Sequence, residues 1–380
     1  MNDRKLKLMM IVSEDWSFWS HRLPLALSAI EAGYDVTLIT KVNQLENEIK
    51  AKGINVIHFD FVRSSKSPLT DLKNIIKLIR VLKLEKPNVV HNVALKTILI
   101  GTIAALFDNN TVVVNAFTGL GYVFSSNQLQ ARIIRFFIKP VFKLIMKKHN
   151  YWAIFQNPDD MNVFKQAGLI VTERATLIRG SGVDKKEFLQ TPDRNQTPVV
   201  MLASRMLWDK GVGEFIEAAR CARRNNTDVK FVLVGDTDKE NPMSIPVETL
   251  KEWASEGCVT WQGHSNNMPA TLAAASIVCL PSYREGLPKV LLEAAAIGRP
   301  LIATDVPGCR EIVENGKNGI LVKLKDIDSL YNAITRLISD VEMREIMGQN
   351  SRNLVESKFS TEIINAQTIK LYKTARDLKN

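Results

Sequence analysis

The sequence predicts an α/β chain of two doubly wound domains, each a parallel sheet with helices on both faces, and three observations lead there. At 380 residues the chain is longer than one ordinary core accommodates, so two domains are expected. Short apolar runs of strand length alternate with helical stretches along it, the order that builds parallel sheets from βαβ units. The stretch at 187–196 (Glu-Phe-Leu-Gln-Thr-Pro-Asp-Arg-Asn-Gln) is polar and unpatterned and reads as a linker. An apolar content of 46% and a charged content of 24% fit a soluble globular protein and exclude a disordered chain.

Taken in order, the first half places strands at 6–12, 35–40, 55–59, 88–91, 111–116 and 152–156. Helices at 21–32, 45–52, 72–84 and 96–107 alternate with them. The second half continues with strands at 198–203, 230–234, 259–261, 277–280, 300–303 and 319–322, and with a helix at 213–224. The expected domains are 1–188 and 197–358, with 359–380 as a C-terminal piece that is helical over 360–378. Ligands of such sheets bind outside the carboxyl ends of the strands, in this architecture at a cleft between the two domains.

The N-terminus runs straight into a first strand, without an apolar region followed by a cleavage site. No stretch of 18 uncharged apolar residues occurs. Cys221, Cys258, Cys279 and Cys309 are scattered without metal-ligand spacing. These features predict reduced thiols, no metal, no membrane span and a cytoplasmic location.

The net charge of +10 is unevenly spread: residues 1–190 hold 26 Lys/Arg against 16 Asp/Glu, and residues 191–380 hold 24 against 24. Residues 109–158 contain no acidic residue at all. At the centre of that window Arg132, Arg135, Lys139 and Lys143 recur every three or four residues. Ile134, Phe137, Ile138, Val141, Phe142 and Ile145 lie between them, with Pro140 as a kink or junction. Residues 128–148 thus read as a basic amphipathic stretch suited to an anionic membrane surface, at roughly 1 kcal/mol per Lys or Arg near the lipid. An ordinary core helix with a solvated basic face is the plainer reading. Nucleic acid is not expected as a partner, because no nucleic-acid motif accompanies the charge.

The most informative spacing is Glu285-Gly-Leu-Pro-Lys-Val-Leu-Leu-Glu293. It follows the strand at 277–280 and opens a helix with Pro288 at its first position and Gly298 at its end. A strand feeding a helix N-terminus makes an anion site, because backbone N–H groups and the helix dipole point at the ligand. Phosphates would sit at the helix mouth, Glu285 would meet a hydroxyl of a transferred group, and Glu293 would accept two ribose hydroxyls. Solvated, dipole-favoured glutamates are the alternative. After the strand at 198–203, Arg205 and Lys210 supply two cations able to neutralise a diphosphate. Glycine loops at Gly235, at Gly263-His264-Ser265, at Gly308 and at Gly180-Ser-Gly-Val-Asp184 fall at or near other strand ends.

In that order, Gly180-Ser-Gly-Val-Asp184, Arg205…Lys210, Gly263-His264-Ser265 and Glu285…Glu293 resemble the motifs of the retaining glycosyltransferases of family 4. The resemblance covers nearly the whole chain. It implies a GT-B fold, two Rossmann-like doubly wound domains facing across a cleft. Ala203–Val212, Glu285-Gly-Leu-Pro288 and Gly119-Leu-Gly-Tyr122 are similar to bacterial N-acetylgalactosaminyltransferases of N-glycan and O-antigen assembly, which act on polyprenyl-diphosphate-linked sugars. Arg205 and Lys210 would then hold the donor diphosphate, Glu285 the sugar ring and Glu293 the ribose, with Gly263 and His264 along the uracil. Gly286, Leu287, Pro288 and Val290 would face the phosphates, although Pro288 offers no N–H. The C-terminal helix would pack back on the first domain.

The first half departs from the family pattern. Its first loop, Ser13–Arg22, has no glycine, and Trp16, Phe18 and Trp19 there are expected to stack on an acceptor sugar, to dip into lipid or to pack against the opposite domain. Thr118 and Gly119 stand where relatives carry a donor-contacting histidine. His21 and His91 are expected at the cleft as candidates to assist an acceptor hydroxyl, with a structural role as the alternative for each. The expectation is a retaining, metal-independent transferase without cofactor. Its donor is a UDP-sugar, its acceptor a lipid-linked saccharide, and its place the inner face of the plasma membrane as a peripheral protein. A UDP-sugar 2-epimerase and a non-catalytic scaffold of a polysaccharide assembly are the competing classes.

Overall fold

The structure, a computed structural model, describes residues 5–61, 68–120, 136, 139–146, 148, 150–239 and 241–378. It divides into two compact units, Met1–Ser181 with Thr361–Asn380, and Gly182–Ser360.

The first unit is built on a seven-stranded, wholly parallel sheet: β1 Leu6–Glu14, β2 Tyr34–Lys41, β3 Asn55–His58, β4 Val89–Val93, β5 Val112–Phe117, β6 Tyr151–Phe155 and β7 Ala175–Leu177. The order is β3-β2-β1-β4-β5-β6-β7. Successive residues of β1 point to opposite faces, as the period of two demands. Leu8, Met10 and Val12 pack beneath α1 (Asp15–His21), α2 (Leu23–Glu31) and α3 (Glu46–Ala51). Met9 and Ile11 pack on the other face with α4 (Pro68–Glu85), α5 (Leu95–Ala104), Phe142, Ile145 and α6 (Pro158–Gln166). Both faces are covered, which is why the strands read as continuous apolar runs.

The second unit holds a six-stranded parallel sheet: β8 Val199–Ala203, β9 Lys230–Val234, β10 Thr260–Trp261, β11 Ile277–Leu280, β12 Leu301–Thr304 and β13 Gly319–Val322. Its order is β10-β9-β8-β11-β12-β13. The helices are α7 Val212–Arg224, α8 Val247–Ser255, α9 Met268–Ala273, α10 Lys289–Ile297, α11 Cys309–Ile312, α12 Ile327–Ser339 and α13 Val341–Leu354. The last helix, α14 (Thr361–Asp377), returns to the first unit, where Ile364, Leu371 and Tyr372 join the core shared with α2. Strand order reverses between β1 and β4 in one sheet and between β8 and β11 in the other, and such switch points open a crevice at the carboxyl edge.

Several local expectations change. The loop after β1 is helical: no glycine or proline lies between Ser13 and Arg22 to break a helix, and Phe18 and Trp19 turn into the core of their own unit. Only Trp16 of the three aromatics stands exposed. Asp15 opens α1, and its carboxylate accepts the N–H groups of Asn43, Gln44 and Leu45 at 2.7–3.2 Å. Burial acts to raise its pKa, but these bonds outweigh burial and hold it below the usual carboxylate value. Residues 187–196 are a strap across the second unit. Phe188 is buried there, Arg352 Nη1 donates to the Phe188 carbonyl at 2.8 Å, and Arg299 Nη1 to the Thr191 carbonyl at 2.6 Å. Long-range arginine donors satisfy this backbone, which local composition does not disclose. The strand β7 was not foreseen; it has three residues, too few to show a period.

Candidate active site

The second unit gathers its candidates on loops at one edge of its sheet. Lys210 leaves β8 and Glu285 leaves β11, the two strands that flank the switch point. Lys210 Nζ and Glu285 Oε1 meet at 2.5 Å, with 19% and 11% of their side chains exposed. The two loops are stitched behind that pair. Tyr283 N donates to the Asp209 carbonyl at 2.8 Å, and Ser282 Oγ to the same oxygen at 3.1 Å. Gly211 takes a φ of +73°, and a Cβ there would stand 2.1 Å from the Pro281 carbonyl oxygen, so only glycine lets the loops close this far. Gly308, after β12, does the same behind the Glu285–Gly286 turn, with a virtual Cβ 2.5 Å from the Gly286 oxygen. The Tyr283 hydroxyl reaches Glu214 Oε1 at 2.6 Å, and Lys325 sits 4.6 Å above the Tyr283 ring.

Arg205 pairs with Asp238 beyond β9 at 2.6 Å. The backbone of the neighbouring loops is bonded to itself: Gly235 N donates to the Gly263 carbonyl at 2.6 Å, and Trp261 Nε1 to the Gly235 carbonyl at 2.8 Å. His264 is exposed on the adjoining loop.

The helix α10 begins at Lys289, so Pro288 is its N-cap rather than its first helical residue. Gly298 ends it with a left-handed φ of +87°. Leu287 and Val290 are half-buried beside Pro288, Gly286 lies in the turn, and the positive end of the helix dipole opens there. Glu293 lies about one turn in and is buried. Burial raises its pKa, Lys289 at 3.1 Å partly offsets that, and Glu187 adds to the rise. Lys289 lies four residues before Glu293, the weaker order for a helical ion pair, and opposes the dipole at the helix start. Helix stability therefore does not account for its position.

In the first unit, Thr118 and Gly119 follow the last residue of β5, and His21 closes α1. His91 is not available to an acceptor. It is buried in β4, and Tyr372 of α14 holds its Nδ1 at 2.7 Å. Complete burial, with the nearby Arg22 charge, pushes its pKa down to about 3, so the imidazole is neutral. Ala94, just past β4 at the first switch point, adopts a φ of +74°, an uncommon conformation for a residue with a Cβ. Arg132 and Arg135 lie outside the described residues. Lys139 and Lys143 are exposed on a helical stretch whose Phe142 and Ile145 are buried and whose Leu144 is exposed.

Asp238, Tyr283, Glu214 and Lys289 were not singled out from sequence. The i, i+4 spacing of Lys289 and Glu293 was a usable signal. Asp238 and Glu214 meet their partners only through the sheet order.

Residues 197–340 match the family described as Glycosyl transferases group 1, and residues 7–154 match the one described as Glycosyl transferase 4-like. The chain belongs to the group 1, family 4-like glycosyltransferases. Among the relatives of this glycosyltransferase is the N,N'-diacetylbacillosaminyl-diphospho-undecaprenol alpha-1,3-N-acetylgalactosaminyltransferase of Campylobacter jejuni. It is 28% identical over 370 residues, covering 94% of this chain and 95% of that protein. The UDP-Gal:alpha-D-GlcNAc-diphosphoundecaprenol alpha-1,3-galactosyltransferase of Escherichia coli is 27% identical over 86% of both chains. A glycosyltransferase structure from Rickettsia africae matches with a TM-score of 0.80 at 18% identity, over 98% of this chain and 99% of that one. HepE of Anabaena, solved with UDP and glucose, matches at 0.76 and 19% identity, over 97% of this chain and 100% of that one. The glycosyltransferase thus has the GT-B architecture of two parallel-sheet α/β domains.

Proposed function

We propose that this glycosyltransferase moves an N-acetylhexosamine, GalNAc by preference, from a UDP-sugar to a sugar carried on undecaprenyl diphosphate, with retention at the anomeric carbon. The carrying observation is the Lys210–Glu285 ion pair at the switch point of the second sheet. The likeness to the Campylobacter jejuni enzyme along 94% of the chain supports the donor and acceptor classes.

Arg205, Lys210 and Lys289 each rest on a carboxylate. A donor diphosphate entering at the mouth of α10 takes over Arg205 and Lys210. Glu285 is thereby released towards the sugar ring, and Glu293 towards the ribose hydroxyls. Gly263 and His264 line the uracil, and the turn at Gly286, Leu287, Pro288 and Val290 faces the phosphates. Within the first unit, Thr118, Gly119 and His21 are its own candidates for contact with a sugar. The acceptor oxygen bonds to the anomeric carbon from the side the leaving group vacates. The bond from that carbon to the β-phosphate oxygen breaks with its electron pair, and that phosphate oxygen takes the acceptor proton. UDP leaves with its charge held by Arg205 and Lys210, so the step needs neither metal nor cofactor.

Lys139 and Lys143, with Arg132 and Arg135, bring the first unit to the anionic inner face of the plasma membrane as a peripheral protein. Among the described residues no helix is long and apolar enough to cross a membrane.

The deciding experiment measures UDP release from UDP-GalNAc, UDP-GlcNAc and UDP-glucose, each with and without short polyprenyl-diphosphate-linked mono- and disaccharides, in EDTA. Release from UDP-GalNAc only when acceptor is present, with an α-linked product, supports the reading. Interconversion of the free UDP-sugars, or binding without turnover, overturns it in favour of an isomerase or a scaffold.

A further inference from the structure

The outer side of α4 carries a pattern that the sequence reading passed over. Residues on an α-helix are about 100° apart around its axis. By that measure the exposed residues Leu72, Lys73, Ile76, Lys77, Arg80, Lys83 and Leu84 all fall within an arc of about 140°. Three are large and apolar, with Leu72 52%, Ile76 45% and Leu84 80% exposed. Four are cations and none is acidic.

The helix has its own carboxylates, but they stand off this arc and are taken from elsewhere. Asp71 meets Lys96 at 3.3 Å, and Glu85 meets Lys7 at 3.0 Å. The arc's positive charge is therefore not compensated along its own helix. The opposite side of α4 already does what a globular fold asks of an amphipathic helix: Leu78 and Leu82 are fully enclosed in the core, with Ile75 packed against it. A second apolar stripe, on the water side, gives the isolated fold nothing and marks a contact surface.

We propose that this arc of α4 lies flat on an anionic bilayer, with Leu72, Ile76 and Leu84 at the acyl boundary and Lys73, Arg80 and Lys83 on the headgroup phosphates. Charge complementarity selects this occupant. A second copy of the same face would bring four cations against four, without a carboxylate between them. Residues 139–145, with exposed Lys139, Val141, Lys143 and Leu144, cover the same side of the first sheet, so both basic helices are available to one surface. The proposal rests on the membrane reading above and adds to it a helix 45 residues or more earlier in the chain.

The test is co-sedimentation of the full chain with vesicles of phosphatidylglycerol and phosphatidylcholine, and with phosphatidylcholine alone. Three variants are compared: Lys73→Gln/Arg80→Gln/Lys83→Gln, Leu72→Ser/Ile76→Ser/Leu84→Ser, and Lys139→Gln/Lys143→Gln. Each cation near the surface is worth about fivefold in binding, so the first variant should bind anionic vesicles about a hundredfold more weakly. The serine variant should lose the part of binding that survives high salt. Transfer to a short-chain, water-soluble acceptor should be unchanged in both, which shows that the fold is intact. Wild-type vesicle binding in both α4 variants overturns the proposal. If the Lys139/Lys143 variant then still falls away, the membrane reading stands and only α4 is misassigned. If the wild-type protein ignores anionic vesicles, both fail. A concentration-dependent dimer abolished by the serine variant, with vesicle binding intact, would make the face a self-interface and equally overturn the proposal.

Discussion

Arg205, Lys210 and Lys289 at the edge of the second sheet each have a carboxylate within 3.1 Å. In the first unit Arg22 is buried between α1 and α2, and its Nε has no hydrogen-bond partner among the described residues. Burial lowers its pKa to about 10, with Tyr372 opposing the shift. Its neighbour His91 is kept neutral by the same burial. The difference teaches what each kind of charge is for. A cation resting on a carboxylate can exchange that partner for a phosphate at little cost, because the desolvation is already met. A cation buried without one is a standing cost to the fold, and its neighbour His91 is held in the neutral form.

The sharpest way to break this comparison is at the pair itself. Lys210→Met should lower the rate of transfer by about 10²–10³, with the circular dichroism spectrum unchanged. A loss under tenfold would deny Lys210 its place on the leaving diphosphate.

Acidification tests the other side. The folded pKa of His91 lies near 3, below its unfolded value near 6.5. Between those values the unfolded chain binds a proton that the folded one refuses, so stability falls with pH by about 1.4 kcal/mol per unit. From pH 6.5 to 4.5 His91 should remove about 2 kcal/mol, and urea midpoints of His91→Asn should lack that share of the slope. Glu293 acts with the opposite sign. Its folded pKa is raised, so the cost of its charge is present above that value and is relieved as pH falls through it. Glu293→Gln should therefore steepen the acid loss of the whole chain.

Arg22→Met should raise stability by about 1 kcal/mol, read as a higher Tm, since an uncompensated buried charge is exchanged for apolar volume. The smallest effect is expected at Tyr283→Phe. It removes the 2.6 Å bond to Glu214, worth about 1 kcal/mol, and should slow transfer only severalfold by loosening the loop that presents Glu285.

The sequence made the two sheets legible because both are parallel and covered, so their strands stand out as apolar runs between helices. The elements that escaped it depend on partners far along the chain. Asp15–His21 became a helix, and two of its three aromatics, Phe18 and Trp19, turned to the core. The polar strap at 187–196 is held by Arg299 and Arg352, more than a hundred residues on. His91 was read as a cleft residue because its strand was visible, while Tyr372, 281 positions away, was not. At the site, residue types and spacing pointed to Glu285, Glu293, Arg205 and Lys210. That Lys210 meets Glu285 follows only from β8 lying beside β11.

The return of α14 to the first unit carries a consequence for the order in which the protein matures. On a ribosome, segments emerge in sequence, and a domain made of one continuous segment can fold as it appears. Here the first unit waits. The face of its sheet that Tyr372, Leu371 and Ile364 cover stays open until the whole of the second unit has been synthesised. The nascent chain therefore completes its later unit first, and the earlier one is sealed only when α14 emerges.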